Sequence, residues 1–331
     1  MSGNTFKGTM VVVLLLSAGV SAIAQRGTVR ISPENVPGGA GRANESRENG
    51  PAGPVPFHLA RGVPVVQVVL NGHGPYSFLV DTGTNVTLVA QPVLDQLSVS
   101  TQTIVPLHSV TGDGTTSETT LETVAVGGLR LYKLEVGTLK RGQLAIYGDQ
   151  VQGVLGEDFL KHFDLLLDYQ HGVLTLDMSS ALADTLMGEH VAFRRSGVSH
   201  GEEVPDRILV QSKLPSFNGS SMACLVDSGT YLAVIFLRDG SMERLAGTHP
   251  QMNLSSPFGG NSACVIEPSR VEVGGERVRS TDVLACEDNK QANADSDCLL
   301  PTNLFRSVFI SHRGGYIVMN PQFMEQASLG R

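Results

Sequence analysis

The chain has 331 residues, of which 41% are hydrophobic, 17% are charged and none is tryptophan. A chain of this length and apolar content can form two globular domains, each with its own core. The formal net charge of −8 and the lack of any Lys/Arg run argue against nucleic acid as the main partner.

Residues 1–24 have the pattern of a secretory signal peptide. Lys7 precedes an unbroken apolar run from Met10 to Leu16, and Ala22-Ile23-Ala24 has the small residues typical of a cleavage site. The apolar run is too short for a membrane anchor. The sequence therefore predicts cleavage near Ala24, an exported (periplasmic or secreted) protein and no membrane span in the mature chain.

Composition divides the rest of the chain. Residues 25–54 are rich in Gly, Pro, Asn, Glu and Arg, which predicts a disordered linker or a short pro-segment. Two β-rich lobes follow, at residues 55–180 and 206–331, and a more polar connector, residues 181–205, joins them. Val, Thr and Gly usage favours strands and turns over helices in both lobes.

Each lobe contains a buried-strand pattern that ends in an aspartate. In the first lobe an apolar run leads to Asp81, and in the second a similar run leads to Asp227. Each aspartate is followed by a hydroxyl residue, a glycine and a threonine: Thr82, Gly83 and Thr84; Ser228, Gly229 and Thr230. A carboxylate at the end of a buried strand is costly unless it is paired or used. The matching contexts predict that the two aspartates meet.

The spacing of a second motif indicates a tandem duplication. Gly156 ends an apolar strand 75 positions after Asp81 (156 − 81), and Pro301 ends one 74 positions after Asp227 (301 − 227). A hairpin pattern then closes each lobe, around residues 165–176 and 308–319. We interpret this register as two copies of one β-rich unit of roughly 120 residues.

Two adjacent carboxylates can share one proton, because repulsion raises the pKa of one of them. The ionised member can then take a proton from water while the protonated member donates to a carbonyl oxygen. This chemistry needs no metal or cofactor. The glycines would let backbone approach the carboxylates. The Thr84 and Thr230 hydroxyls are expected to donate to them and lower their pKa, and Thr82 and Ser228 to cross-bond the two halves.

The two Asp-Thr/Ser-Gly-Thr motifs resemble the active-site motifs of the aspartic proteases. Val154-Leu155-Gly156 resembles the apolar-apolar-Gly element found behind each catalytic loop of that family, and the likeness covers roughly Phe57 to Pro321. It implies an all-β, bilobal fold of two homologous barrel-like lobes with the cleft between them. It also implies a catalytic pair of Asp81 and Asp227, no cofactor, a polypeptide substrate and placement near the retropepsin-like branch.

The resemblance also implies a flap over the substrate, formed by a Gly-rich turn between two strand patterns: Thr111, Gly112, Asp113 and Gly114. An ordinary β-hairpin explains the same residues equally well. This turn lacks the tyrosine found on the flap of pepsin-like enzymes. Pro301 also departs from the family, which usually has glycine at that position, so the local backbone there can differ.

All four cysteines lie in the C-terminal half: Cys224, Cys264, Cys286 and Cys298. An even number in an exported chain predicts two disulfides and no free thiol, and sequence leaves the three connectivities open. A metal site is the alternative, but the spacings match no zinc pattern. His162, His171 and His312 lie beside turns or a helix start, and we expect them to be surface residues and not ligands.

Three functions fit these patterns. The first is an exported aspartic endopeptidase acting on extended polypeptides with apolar central subsites. The second is a catalytically silent peptide- or protein-binding protein on the same fold, and the third is a processing enzyme with one dedicated client. Two complete motifs in one chain make dimerisation unnecessary, so a monomer is expected. The hydroxyl donors predict activity that is greatest in acid and falls toward neutrality.

Overall fold

The protein is described from a computed structural model, which defines most of both lobes. The described residues are 11–12, 16–18, 53–101, 103–110, 112–195, 198–199, 202–203, 207–213, 220–238, 245, 248–256, 259–266, 270–279, 283–288 and 295–324. Strands dominate this part of the chain. None of its helices is long and apolar enough to cross a membrane.

The N-terminal lobe is built on one sheet of neighbouring strands. Their order is Leu16–Ala18, Thr103–Ser109, Gly112–Val126, Leu129–Leu139, Leu88–Ala90, Val151–Leu155, His73–Val80, Val63–Leu70 and His58–Ala60. Gly112–Val126 also pairs with Val63–Leu70, which curls the sheet back on itself. Val63–Leu70 and His73–Val80 form an antiparallel hairpin, and its second strand leads to Asp81.

The C-terminal lobe repeats this arrangement. Its strand order is Val11–Val12, Gln251–Ser256, Gly259–Ile266, Val283–Glu287, Ala233–Leu237, Cys298–Pro301, Ser221–Asp227, Ile208–Lys213, Arg270–Val273 and Glu276–Arg279, with Arg194–Arg195 also paired to Ile208–Lys213. From the hairpin at 251–266 to the strand at 208–213, this order matches the N-terminal sheet strand for strand. The predicted all-β fold of two homologous lobes is confirmed.

A third sheet joins the lobes. Its order is Val191–Ala192, Tyr316–Met319, Ser307–Ser311, Asp164–Asp168, Val173–Asp177 and Val55–Pro56. The two closing hairpins predicted from sequence meet here, because 164–168 pairs antiparallel with 307–311. Each lobe therefore contributes one hairpin to a common sheet.

The remaining described elements are short. The α-helices are Gln91–Gln96 and Glu157–Leu160, and the 3-10 turns are Ala145–Tyr147, Ala183–Thr185 and Thr302–Leu304. Leu186–Met187 pairs with Gln322–Phe323, and Val198–Ser199 with Glu202–Glu203. The predicted connector, 181–205, thus contributes strands to the sheets where it is described. Residues 19–52, which include the expected cleavage point and most of the predicted linker, lie outside the described part.

The cysteines correct the expectation of two disulfides. Cys224 and Cys298 are in register on neighbouring parallel strands and are joined by a disulfide. Cys286 is a buried free thiol that lies opposite Ala263 on the adjacent strand. Burial raises the pKa of Cys286 to about 12, so the thiol stays protonated and unreactive at neutral pH. The side chain of Cys264 is outside the described part of the structure.

Candidate active site

The structure places Asp81 and Asp227 at the ends of equivalent strands. Asp81 follows the strand His73–Val80, and its N–H donates to the carbonyl of Leu155 at 3.0 Å. Asp227 ends the strand Ser221–Asp227 and lies in register with Pro301 on the neighbouring parallel strand. Both aspartates are 0% exposed. The expectation that these side chains meet is tested by the contacts around them.

The hydroxyl residues after the aspartates hold the two lobes together. The Thr82 N–H donates to Ser228 Oγ at 3.0 Å, and the Ser228 N–H donates to Thr82 Oγ1 at 3.1 Å. Each hydroxyl in turn donates to a carbonyl of the other lobe, Thr82 to Val226 at 2.9 Å and Ser228 to Val80 at 2.7 Å. These four buried hydrogen bonds are the cross-bonds predicted from sequence, and they fix the distance between the two loops.

The glycines bring each loop against the carboxylate of the opposite lobe. A Cβ at Gly83 would lie 2.6 Å from Cγ of Asp227, and a Cβ at Gly229 would lie 2.3 Å from Cγ of Asp81. Any real side chain at either position would collide with the carboxylate. The two aspartates are therefore neighbours across the lobe boundary, as the duplicated motif predicts.

Backbone amides supply the donors that hold the carboxylates. Gly83 N–H donates to Asp81 Oδ1 at 2.8 Å, and Gly229 N–H donates to Asp227 Oδ1 at 2.7 Å. The Thr230 hydroxyl instead donates to the carbonyl of Leu232 at 3.2 Å, which corrects the expectation that it would bind the carboxylate. The Oδ2 atoms of both aspartates have no donor among the described protein groups. These are the oxygens available to share a proton.

The electrostatics of the pair differ from the sequence expectation. Burial, followed by the negative charge of Asp227, raises the pKa of Asp81 well above its ordinary value. Burial also raises the pKa of Asp227 to about 7, although backbone donors and a nearby arginine oppose this. Desolvation of the closed site thus outweighs hydrogen bonding. The pKa values of both carboxyl groups are therefore raised, whereas the sequence pattern predicts that they are lowered.

Asp158, which no local motif marks in the sequence, braces the loop that carries Asp81. It accepts from the N–H of Thr87 at 2.8 Å and from the Thr87 hydroxyl at 2.6 Å. The Gly156 N–H donates to the same hydroxyl at 3.1 Å, and the Glu157 N–H donates to the carbonyl of Thr84 at 2.8 Å. The loop that carries Asp81 is thereby tied to the strand end behind it.

The second lobe replaces this brace with a matched pair of changes. Ala233 stands where the first lobe has Thr87, counted from the aspartate, and Pro301 stands where it has Gly156. Proline has no N–H to donate, and alanine has no hydroxyl to accept it, so both members of the Gly156–Thr87 hydrogen bond are replaced together. The departure at Pro301 is therefore compensated at Ala233, and the strand still ends in register with Asp227.

His312 is buried, which corrects the expectation of a surface histidine. Its Nδ1 lies 2.6 Å from the carbonyl oxygen of Phe163, and its Nε2 lies 2.8 Å from Oε2 of Glu157. The carbonyl oxygen can only accept, so Nδ1 donates to it, and in the imidazolium form Nε2 donates to the Glu157 carboxylate as well. Burial opposes the charge, but the Glu157 carboxylate raises the pKa of His312 above its ordinary value. This ion pair joins the helix Glu157–Leu160, behind the loop that carries Asp81, to the sheet that the lobes share.

We expect the Glu157–His312 pair to make stability depend on pH. Because the folded-state pKa of His312 is raised, its stabilisation is complete below the unfolded pKa of about 6.5 and is lost as pH rises through the folded pKa. The free energy of unfolding, relative to a Glu157→Gln/His312→Gln double variant, should fall by up to ~1.4 kcal/mol per pH unit in that interval. Denaturant titrations from mild acid to alkaline pH measure it.

The exposed pair of His171 and Asp168 provides the control for this experiment. Nδ1 of His171 lies 2.7 Å from Oδ2 of Asp168, but the histidine side chain is 66% exposed. Its substitution by glutamine should cost under ~1 kcal/mol at any pH. A Glu157/His312 difference that is constant or grows over the same pH interval would contradict the assignment of an imidazolium at His312.

The expected flap is a hairpin that reaches the other lobe. Thr103–Ser109 pairs antiparallel with Gly112–Val126, and Asp113 and Gly114 face His108 and Leu107 across it. Thr111, at the turn, lies outside the described residues. Val110, beside it, is 1% exposed and packs into an apolar cluster that is otherwise formed by the C-terminal lobe. The hairpin therefore closes over the boundary between the lobes.

Tyr147 is a further group beside the pair that sequence did not reveal. It is 6% exposed and packs in the apolar cluster that contains Leu79, two residues before Asp81. Burial, and then the charges of Asp81 and Asp227, raise its pKa well above the ordinary value. Its hydroxyl has no hydrogen-bond partner among the described residues. A buried phenol with a spare donor thus lies near both carboxylates.

Residues 66–159 match the family model described as Aspartyl protease, a span that contains Asp81 and Gly156. Among solved structures, the chain is similar to an aspartic proteinase from Irpex lacteus, with 14% identity, a TM-score of 0.48 and coverage of 84% of this chain and 99% of that one. No curated protein matches the sequence.

Proposed function

We propose that this chain, a member of the aspartic protease superfamily, is an endopeptidase that uses the Asp81–Asp227 pair to hydrolyse peptide bonds of extended polypeptides. The observation that carries the proposal is the reciprocal approach of each Gly loop to the carboxylate of the other lobe. The family match covers only the first motif, so the role of Asp227 rests on this geometry. The cross-bonds between Thr82 and Ser228 support it.

The pair would act as base and acid in one step. Ionised Asp227 takes a proton from water, whose oxygen bonds to the carbonyl carbon, while protonated Asp81 donates to the carbonyl oxygen. Asp227 then passes its proton to the amide nitrogen as the C–N bond breaks and the oxygen's proton returns to Asp81. The products are a carboxylic acid and an amine, and the pair ends with the single proton it began with.

The sheet faces that carry the two aspartates are apolar. Leu79 and Leu225 lie two residues before the aspartates, so they share their face of each sheet. Each belongs to a buried apolar cluster of its own lobe. The flap hairpin adds its strand edge above them. An extended chain that pairs with this edge would place alternate side chains into the apolar clusters.

Export is part of the same proposal. Leu16–Ala18 pairs with the flap strand Thr103–Ser109, and Val11–Val12 pairs with Gln251–Ser256, the equivalent strand of the second lobe. Both short strands precede Ala24, so cleavage there would remove them from the two hairpins. We therefore expect the form that begins at Gln25 to present both hairpin edges to substrate.

The test is cleavage of an unfolded protein by the chain from Gln25, measured from acid to alkaline pH. Activity should be greatest between mild acid and neutrality, because burial raises the pKa of both carboxyl groups. A statine-type inhibitor, whose hydroxyl takes the place of the attacking water, should abolish cleavage. Tight inhibitor binding without cleavage of any substrate would favour the silent binding protein. A maximum in strong acid would contradict the electrostatic argument.

A further inference from the structure

Arg207 stands beside Asp227, and the equivalent position beside Asp81 in the first lobe is not charged. Leu209 pairs with Leu225 in the antiparallel ladder, so two residues further Arg207 stands opposite Asp227. In the first lobe Val65 pairs with Leu79, so Val63 stands opposite Asp81. Directly opposed residues of an antiparallel pair project from the same face with Cβ atoms ~5 Å apart. One aspartate therefore has a guanidinium as its cross-strand neighbour, and the other has a valine.

The guanidinium of Arg207 is held inside the protein. Its side chain is 2% exposed, and Nη1 lies 3.4 Å from Oδ1 of Asp295, whose own side chain is 14% exposed. An arginine stays charged even when burial lowers its pKa, as it does here. Such a charge is retained inside a protein only where anions compensate it. Asp295 is one such anion, and the register places Asp227 as the second.

We propose that Arg207 makes the carboxylate pair asymmetric, holding the negative charge on Asp227 and leaving the shared proton on Asp81. The inference rests on the proposed function, since it assigns the base and the acid of that reaction. Arg207 acts through Asp227 and is a positioning residue, not a group that contacts substrate. Between the cross-strand neighbours of the two aspartates, the Arg207/Val63 difference is a difference in charge.

The other groups that face Asp227 do not supply this asymmetry. Asp81 faces it from the first lobe, and Tyr147 lies beside both carboxylates. Tyr169 approaches from the sheet shared by the lobes, and its hydroxyl lies 2.5 Å from the Thr302 hydroxyl. Burial raises the pKa of both tyrosines, so they stay neutral wherever the pair titrates. Asp295, behind Arg207, partly offsets the guanidinium.

The experiment compares pH profiles of kcat/KM for the purified protein and for Arg207→Val, which gives Asp227 the neighbour that Asp81 has. Removing a nearby cation raises the pKa of a carboxyl group. The acid limb of the profile, where kcat/KM rises as Asp227 ionises, should therefore move up by about 1–2 pH units. Arg207→Lys keeps the charge and should keep the limb in place. A uniform fall in rate with an unmoved limb would overturn the proposal and leave Arg207 a purely structural role.

Asp295→Asn keeps the proposal testable if Arg207→Val fails to fold. Without its competing carboxylate, the guanidinium acts more strongly on Asp227, so the acid limb should move down in pH. Arg207→Val should move the acid limb up in pH and Asp295→Asn should move it down. General destabilisation would not shift the limb in opposite directions. An acid limb that stays in place or rises in Asp295→Asn would overturn the proposal.

A spectroscopic titration separates failure of this inference from failure of the proposed function. Carbon-13 NMR of protein labelled at the aspartate carboxyl carbons follows each ionisation without any substrate. Asp81→Asn and Asp227→Asn identify the two signals. As the pH is raised, Asp227 should ionise before Asp81. Arg207→Val should raise the pH midpoint of the Asp227 titration, whether or not the protein cleaves peptides. Asp81 ionising first would overturn the proposal in an active or an inactive protein.

Discussion

Asp81→Asn and Asp227→Asn should each lower kcat/KM by at least ~10³-fold, because general acid–base catalysis contributes on that scale. Asparagine has nearly the shape of aspartate, so the Gly83 and Gly229 amides can still donate to its side-chain oxygen. It can neither take a proton from water nor share one. The loss should therefore appear in kcat, with substrate affinity and the unfolding midpoint little changed.

A buried aspartate outside the pair provides the control. Asp177 is 0% exposed and accepts from the N–H groups of Ser179 and Leu182, each at 2.7 Å. Asp177→Asn should cost stability, in the range of ~1–3 kcal/mol expected for a disturbed buried hydrogen-bond group, without changing kcat. Cleavage that survives in both Asp81→Asn and Asp227→Asn would show that the activity arises elsewhere.

The sequence was most informative where the duplication repeats a local pattern. The interval from Asp81 to Gly156 recurs after Asp227, and the two sheets share a strand order. A matched spacing of this kind can only persist if both copies place the same strand ends beside each other. The duplication and the meeting of the two aspartates therefore followed from the motifs, and the bilobal fold followed from the family resemblance that the motifs carry.

What the sequence could not predict are contacts between residues that have no local pattern. Arg207 lies just before a strand, in polar sequence. Only the strand register shows that it stands opposite Asp227. His312 follows a strand end, which is typical of an exposed turn residue. Its partner Glu157 lies 155 positions away in the sequence, so no local pattern predicts the pair. The predicted donor at Thr230 was also wrong, because its hydroxyl donates to the carbonyl of Leu232.

The prediction of a second disulfide from the number of cysteines was wrong. The disulfide of Cys224 and Cys298 follows from the same parallel register that brings Asp227 beside Pro301. Cys286 belongs to a different strand and packs in the apolar cluster of the second lobe. An even number of cysteines thus gave one disulfide and one buried hydrophobic thiol, a distinction that depends on strand order and not on composition.

Gly229→Ala and Gly83→Ala should abolish cleavage as completely as loss of an aspartate. The added methyl group would lie 2.3 Å or 2.6 Å from a carboxylate carbon of the opposite lobe, well inside van der Waals contact. The loops cannot separate freely, because four hydrogen bonds between Thr82, Ser228 and their partners clamp them. Relief of the clash must therefore displace the carboxylates, and a displacement of ~1 Å can cost ~10² in rate.

The expected loss is ~10³-fold in kcat/KM, since either substitution disturbs both carboxylates at once. Both variants should also unfold at lower denaturant concentration, by the ~1–3 kcal/mol typical of overpacking. Gly53→Ala is the control, because its Cβ would have nothing within 4 Å and should change neither quantity. If Gly229→Ala kept activity within tenfold of the unaltered enzyme while remaining folded, the two carboxylates could not be as close as the structure has them. The shared proton would then lose its geometric basis, because repulsion between carboxylates falls with their separation.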